Sequence, residues 1–161
     1  MKKIQNLHEL FIEQLQDRYD AAQQQILAFS KLAAACTDEE LKRILQADIE
    51  VSRRHQDQLK NVFDQLGEDP AGEQCEGTAG LIHEANELLD YAEGEDIINQ
   101  GIAISIQHIN HHDIAGYNGC MLYAKALGKS EIHAVVKEMF EDAKGMDVSL
   151  NDFIAKSIVN N

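Results

Sequence analysis

Apolar residues recur at three- and four-residue steps along most of the chain, which is the spacing of amphipathic α-helices. The first such stretch covers residues 4–35, with the stripe Leu7, Leu10, Phe11, Leu15, Tyr19, Ala22, Ile26, Phe29 and Leu32. The second covers residues 38–66, with the stripe Leu41, Leu45, Ser52, Leu59, Val62, Phe63 and Leu66. Between them Thr37, followed by Glu40 three positions on, predicts a capping box at the start of the second helix.

Glycine and proline divide the rest of the chain into three further helices. The second helix should end at "GEDPAGE", where Gly67 terminates it and Pro70 prevents its continuation. The predicted helices that follow cover residues 78–92, 94–127 and 130–158. Gly128 should end the fourth helix, and Ser130 should cap the fifth.

The lengths of these helices and of their connections predict the architecture. Four helices are long, and short turns join them into two antiparallel hairpins. The stretch between the hairpins is too long for a simple turn and contains the short helix. The pattern predicts an all-α, ferritin-like four-helix bundle with one long crossover that carries a short fifth helix, as a single domain over residues 1–161.

Composition restricts the partners and the compartment. The chain has 14 basic and 28 acidic side chains, a net charge of −14, which argues against nucleic acid or anionic lipid and favours cations. No apolar run approaches the length of a membrane span, and the start, "MKKIQNLHELFIEQ", does not resemble a signal peptide. The three cysteines are too scattered for a disulfide framework or a zinc knuckle. We therefore expect a cytoplasmic protein with no membrane partner.

The candidate chemistry lies in "IQHINHHDIAGYNG", residues 106–119, within the fourth helix. His108, with His111 or His112, has the helical spacing of a pair of metal ligands. Successive residues of a helix are rotated by about 100°, so if Asp113 points into the core, His112 points to one side and His108 further away. The histidines are therefore not expected to converge on Asp113.

Counting outward from the two hairpin turns predicts which residues share one level of the core. That level contains Ala22, Val51, Asp113 and Ala143. Ferritin-like di-metal proteins place inward carboxylates from every helix at such a level. One carboxylate cannot hold two metal ions, so we predict no di-iron centre and no ferroxidase activity.

A second polar level is predicted one helical turn away. It groups Asp48, Asn110, Asp147 and Gln25. These residues could form a mononuclear metal site, with Asp113 or His112 as an added ligand, or a plug hydrogen-bonded internally, to water or to Lys144. Buried aspartates are costly unless they are protonated or face a positive charge. Both interpretations remain open at this point.

Several segments resemble one known family. They are "LHELFIEQLQDRYDAAQQQI", "QCEGTAGLIHEANELL", "HHDIAGY" and "KEMFEDAKGMDVSLNDF". In this order, and from about Ile4 to Ile158, they resemble the YciE/YciF family of bacterial ferritin-like, stress-associated proteins. The most specific signatures are Asp17, Tyr19, Asp20 and Ala21, and the run Cys75, Gly80, Leu81, Glu84 and Ala85. The resemblance implies a helical bundle, usually dimeric, with a metal site and no established activity.

The chain departs from this family where the metal site should be. The family typically has Glu at the positions of Ala22, Val51 and Ala143, and His at that of Asp48. It has a His-Tyr-Glu run at the positions of His111, His112 and Asp113. Glu50, His111 and Asp147 are retained, and Asp113 keeps an acidic side chain at its position, although a shorter one. The resemblance therefore carries over the fold more firmly than the metal chemistry.

Two functions follow from this pattern. The first is a non-catalytic, stress-associated protein without a full di-iron site or a resident cofactor. It would act as a structural or partner-binding homodimer and bury apolar positions such as Ile12, Ile104 and Ile114. The alternative is a ferritin-like protein that stores or oxidises iron or manganese at a divergent Asp/His-rich centre. If a metal binds, we expect one weakly held divalent ion with ligands from Asp113, Asp48, Asp147 and His112. No catalytic set of nucleophile and base appears.

Overall fold

The computed structural model describes residues 3–159, and every regular element in that range is helical. The helices are α1 (Leu7–Ala35), α2 (Glu39–Leu66), α3 (Glu76–Tyr91), α4 (Glu95–Ala126) and α5 (Ser130–Val159). α1 packs along α2 and α4 along α5, and the two hairpins meet through α1 against α4 and α2 against α5. The predicted ferritin-like bundle is confirmed. The outermost residues of the predicted domain, 1–161, lie outside the described range.

The short helix α3 lies on the long crossover between the hairpins, as predicted. It packs against α4 and α1 and so covers the seam between the two hairpins. No helix in residues 3–159 combines the length and apolar character needed to cross a membrane.

The start of α2 differs from the prediction by one residue. Asp38, not Thr37, is the N-cap, and its carboxylate accepts hydrogen bonds from the backbone N–H groups of Glu40 and Leu41. Thr37 instead exchanges hydrogen bonds with Asn99 near the start of α4, at 3.0 Å through both its N–H and its hydroxyl. The turn of the first hairpin is therefore tied to the second hairpin.

The other helix ends are set by backbone conformation and by caps. Gly67 and Gly128 adopt positive φ, at 69° each, and end α2 and α4 where predicted. Ser130 is the first helical residue of α5, while the carbonyl of Lys129 accepts the first helical hydrogen bond, so the predicted cap lies one residue too late. α3 begins at Glu76, two residues earlier than predicted, because Cys75 caps it.

A polar layer divides the bundle core into two apolar clusters. The first cluster contains Phe11, Leu15, Leu59, Val62, Phe63, Tyr117, Cys120, Ala124, Ile132, Val136, Met139 and Ala143. The second contains Phe29, Leu32, Cys36, Leu41, Leu45, Ile49, Ile102, Ala103, Ile106, Ile109, Leu150 and Phe153. The buried polar residues between them are Arg18, Gln25, Asp48, Ser52, His55, Asn110 and Asp113.

Helix α1 shows how the layer interrupts the apolar stripe. Its buried face runs through Phe11, Leu15, Arg18, Ala21, Ala22, Gln25, Phe29 and Leu32. Tyr19 and Ile26, which the apolar pattern placed on the stripe, are only half-buried. Arg18 and Gln25 replace them because steps of three and four residues from Leu15 reach these positions, whatever their polarity.

Candidate functional site

A buried ion pair occupies the centre of the polar layer. Arg18 of α1 donates from Nη1 to Oδ1 of Asp113 on α4 at 2.9 Å. The other carboxylate oxygen of Asp113 accepts from Nε2 of Gln25 at 2.6 Å. Arg18 is 2% exposed and Asp113 is 8% exposed, so water screens this pair little. Ala22 lies between Arg18 and Gln25 in the sequence, so the pair stands at the level predicted for the metal site.

The guanidinium of Arg18 also binds residues on the outer side of the layer. Its Nη2 donates to Oδ2 of Asp17 at 2.6 Å, and its Nη1 lies 3.2 Å from Nδ1 of His112. Its Nε has no hydrogen-bond partner among the described residues and lies against Gly116 of α4. A Cβ at Gly116 would lie 2.6 Å from this Nε, so only glycine leaves enough space for the guanidinium.

The two members of the pair hold each other ionised. Burial alone would lower the pKa of Arg18, but the charges of Asp113 and Asp17 outweigh it and raise that pKa. Burial raises the pKa of Asp113 to about 6, against the opposing effect of Arg18 and Gln25. The pair is therefore charged at neutral pH, and protonation of Asp113 becomes significant only in mild acid.

A second aspartate lies in the same layer without a charge partner. Asp48 of α2 is 8% exposed, and its carboxyl makes no hydrogen bond within residues 3–159. Burial, together with the charge of Asp113, raises its pKa to about 7. The two buried aspartates are therefore accommodated in different ways. Asp113 faces the positive charge of Arg18, whereas Asp48 binds a proton of its own.

The structure does not bring the four predicted metal ligands together. Asp113 and Asp48 share the layer, but His112 is half-buried on the side that faces α3. Asp147 lies on the seam between α4 and α5, where it accepts from Gln107 at 3.0 Å and pairs with His111 at 2.8 Å. Donors on the edge of α4 hold its carboxylate there, away from the layer.

The alternative hydrogen-bonded plug of Asp48, Asn110, Asp147 and Gln25 is wrong in detail. Asn110 donates to the carbonyl of Ala143, and Lys144 pairs with Glu141 at the surface. Gln25 belongs to the ion pair and receives a 3.4 Å hydrogen bond from Ser52. Contacts centred on Arg18, which the sequence did not identify, bind Asp113 and Gln25 into the layer, while Nε of Arg18 and the carboxyl of Asp48 have no hydrogen-bond partner among residues 3–159.

His55 extends the polar layer along α2. Its Nδ1 lies 3.2 Å from the hydroxyl of Tyr117, and its Nε2 lies 3.0 Å from Oδ2 of Asp142. Burial lowers its pKa, although the hydrogen bond that its ring donates to Asp142 opposes this effect. Arg54 binds the same carboxylate oxygen from the outer side. His55 is therefore a histidine held in one place at the edge of the core.

The residues at this level do not fit a di-metal centre. Ala22 and Ala143 are buried and carry no donor atom, and the inward position on α2 belongs to Ser52, because Val51 is only half-buried. The carboxylate of Asp113 is already bound by a guanidinium. Two metal ions need several carboxylates converging on one point, and this layer offers Asp48 and Asp113 beside a fixed positive charge.

Known proteins are similar to this chain in sequence and in fold. The chain is 26% identical to protein YciF of Escherichia coli K12 over 156 residues, which is 96% of this chain and 94% of that protein. The crystal structure of that stress protein superposes with a TM-score of 0.94, covering 98% of this chain and all of the other. YcfI of Rhodopseudomonas palustris, proposed to be a structural protein, is 28% identical with a TM-score of 0.90, covering 93% and 96%.

A protein of Xanthomonas campestris shares the fold at 17% identity and a TM-score of 0.77, covering 96% of this chain and 95% of the other. The model of one family matches residues 6–161, nearly the whole chain. The protein therefore belongs to the family described as a domain of unknown function, DUF892.

Proposed function

We propose that the protein is a structural, stress-associated homodimer of the YciF type, in which the ion pair of Arg18 and Asp113 takes the place of a metal centre. The observation that carries the proposal is the guanidinium fixed at the level where ferritin-like proteins bind metal. A cation entering this layer would have to displace Arg18 or lie beside its charge in a poorly solvated site. Either event is unfavourable, because buried charges interact strongly.

The relatives support the biological context of this proposal. YciF of Escherichia coli is described as a stress protein, and YcfI of Rhodopseudomonas palustris is proposed to be structural. At 26% and 28% identity over nearly the whole chain, these roles are the natural starting point for this protein. A cytoplasmic location and the absence of a resident cofactor are parts of the same proposal.

An exposed apolar patch on α3 and α4 supports homodimerisation. It consists of Leu88, Tyr91, Ile97 and Ile104, of which Tyr91 is 81% and Ile97 is 58% exposed. The residues form one surface, because Leu88 lies against Gly101 and both Ile97 and Ile104 share a face of α4 with Gly101. An interface of about 800 Å² per partner would cover the patch.

The proposed dimer surface contains only one of the three positions expected from the sequence. Ile104 is exposed, but Ile12 and Ile114 are half-buried and pack against the first core cluster. Light scattering should give a dimer mass at micromolar concentration. Tyr91→Lys with Ile97→Glu should produce monomers, while Leu122→Glu, at another exposed position of α4, should leave the mass unchanged. A wild-type mass near 18.0 kDa would overturn the dimer proposal.

Ferrous iron tests the proposal that the core does not hold a metal centre. Protein purified without chelator is mixed with ferrous iron in air, near-ultraviolet absorbance is followed, and metal content is measured after desalting. We expect no oxidation above the buffer control. Two tightly held iron ions per chain would overturn the proposal.

One observation favours the alternative, a metal-binding protein with a single divergent centre. The carboxyl of Asp48 is buried, lacks a hydrogen-bond partner in the described chain, and shares its layer with Asp113. If the layer stores or oxidises metal, Asp48→Asn must abolish the bound ion. If the bound metal is unchanged in this variant, the layer is not the site.

A further inference from the structure

We propose that Tyr117 is a redox site, at which a one-electron oxidant of the inorganic-radical class removes an electron from the phenol while its proton moves to His55. The site is a row of three side chains from three helices. The hydroxyl of Tyr117 on α4 lies 3.2 Å from Nδ1 of His55 on α2, and Nε2 of His55 lies 3.0 Å from Oδ2 of Asp142 on α5. The proposal does not depend on the function proposed for the core.

The positions of the protons in this row follow from the charge of Asp142. Burial tends to raise the pKa of Asp142, but the hydrogen bonds from His55 and Arg54 outweigh it and lower that pKa, so the group is a carboxylate at neutral pH. A carboxylate can only accept, so Nε2 of His55 carries a proton. Because burial lowers the pKa of His55, its ring is neutral and Nδ1 has a lone pair. The hydroxyl of Tyr117 therefore donates to His55.

This direction of the hydrogen bond suits oxidation coupled to proton transfer. An oxidised phenol that kept its proton would be a buried positive charge, which is costly. Here the O–H bond of Tyr117 breaks, an N–H bond forms at Nδ1 of His55, and the electron passes to the oxidant. The products are a neutral tyrosyl radical, an imidazolium and the reduced oxidant, and the carboxylate of Asp142 stabilises the imidazolium. An electron from a reductant such as ascorbate, with the proton from Nδ1, restores the phenol.

The composition of the chain directs oxidation to tyrosine, and the structure directs it to one tyrosine. The chain has no tryptophan and four tyrosines, which are Tyr19, Tyr91, Tyr117 and Tyr123. Within residues 3–159 only the hydroxyl of Tyr117 has a histidine partner. Burial also raises the pKa values of the three cysteines, which keeps them as thiols and not as the more easily oxidised thiolates. Tyr117 is therefore the side chain best prepared to lose an electron and a proton together.

The packing around Tyr117 protects the radical once it has formed. The residue is 3% exposed and belongs to the first core cluster, and its ring meets that of His55 at 84° with the centroids 5.3 Å apart. Two tyrosyl rings must touch to couple into dityrosine, and a buried ring cannot touch that of another molecule. The radical on Tyr117 should therefore persist, whereas one on Tyr91, which is 81% exposed, should couple quickly.

Photogenerated ruthenium(III) trisbipyridine is the oxidant that tests this site, and electron paramagnetic resonance of frozen samples identifies the radical. In protein exchanged into deuterated buffer, electron–nuclear double resonance detects the deuteron that joins the radical oxygen to Nδ1 of His55. We expect the wild type to give a persistent tyrosyl radical with this deuteron, and Tyr117→Phe to lose it. The matched control is Tyr123→Phe, which changes a half-buried tyrosine of the same helix without a histidine partner and should leave the signal unchanged.

His55→Gln separates the redox role of the histidine from a structural one. Its amide can accept from Tyr117 and donate to Asp142, as the imidazole does, but it cannot take up the proton. In a Tyr91→Phe background, which removes the exposed tyrosine, radical formation followed by absorbance should be slower on the order of 100-fold in His55→Gln. Circular dichroism verifies folding.

Asp142→Asn gives the same test at a half-buried position if His55→Gln does not fold, because the imidazolium loses its counter-charge and the rate should again fall. Three results would overturn the proposal. They are a wild type without a persistent radical, the same radical in Tyr117→Phe, and an unchanged rate in a folded variant of His55 or Asp142.

Discussion

Arg18→Met removes the buried positive charge while keeping most of the volume of the side chain. Asp113 would then be a carboxylate only 8% exposed, with one remaining donor, Gln25. Removing one partner of a buried ion pair typically destabilises a protein by about 3–5 kcal/mol. The lost bond to Asp17 adds little, because that carboxylate is 27% exposed and can be solvated.

The free energy of unfolding, measured by urea titration with circular dichroism at pH 7 and fixed protein concentration, should therefore fall by about 3–5 kcal/mol. The loss should be smaller near pH 5, where Asp113, whose pKa is about 6 in the wild type, can be protonated instead. The double variant Arg18→Met with Asp113→Leu should regain most of the lost stability, because an apolar pair of similar volume replaces the ion pair.

Arg53→Met is the matched control, since Arg53 makes an exposed pair with Glu50. It should change the free energy of unfolding by less than about 0.5 kcal/mol. A loss below about 1 kcal/mol for Arg18→Met would refute the reasoning. So would a double variant no more stable than Arg18→Met alone, because Asp113 would then not be the group that requires the charge.

Three further predictions concern stability. Asp48 has a folded-state pKa of about 7, above its unfolded value, so it binds an extra proton in the folded state and its contribution to stability falls as pH rises from about 4 to about 7. In pH-dependent urea titrations Asp48→Asn should remove this contribution and stabilise the protein at pH 8 by up to about 4 kcal/mol, while the slope below about pH 6 that comes from Asp113 remains. Gly116→Ala should destabilise the protein by about 1–2 kcal/mol, because the new Cβ meets the buried side chain of Arg18. Gly119→Ala has no atom within 4 Å of its new Cβ and should stabilise the protein by about 0.5–1 kcal/mol. Equal shifts in the melting temperatures of the two variants would contradict this. Asp38→Ala should cost about 1 kcal/mol through the loss of the α2 cap.

The sequence predicted the helices well because their apolar positions have one period throughout. The same period could have revealed the polar layer. Steps of three and four residues from Leu15 pass through Arg18, Ala22 and Gln25 to Phe29; all three are buried, and the first and third are polar. Arg18 was not recognised because a charged residue is ordinarily exposed, and its partner lies 95 positions away.

The predictions from the sequence also named the wrong positions where a contact between distant helices, and not the neighbouring residues, decides which residue takes a role. Thr37 and Asp38 are both good N-caps, and no neighbouring residue distinguishes them. Asn99 binds both the N–H and the hydroxyl of Thr37, which leaves Asp38 to cap α2. Likewise, Asp147 was assigned to the core by register, but His111 and Gln107 hold it on the seam between α4 and α5. Such contacts depend on the packing of distant helices, which one sequence does not specify.

The register argument predicts that Ala22→Glu, Val51→Glu and Ala143→Glu together create iron binding. The structure weakens the part of this prediction that rests on α2, because Val51 is half-buried beside the inward Ser52, and it adds a condition at Arg18. With Arg18 retained, its guanidinium would pair with the new carboxylate at position 22 as well as with Asp113, so the triple variant should bind no pair of iron ions. Adding Arg18→Leu removes the competing charge and should produce iron binding, followed by near-ultraviolet absorbance and metal analysis. Asp113→Asn in the quadruple variant should abolish it, and circular dichroism verifies folding in each case. Two iron ions in the triple variant would contradict the role assigned to Arg18. Their appearance only after its removal would mean that the guanidinium, as much as the missing carboxylates, keeps iron out of this bundle.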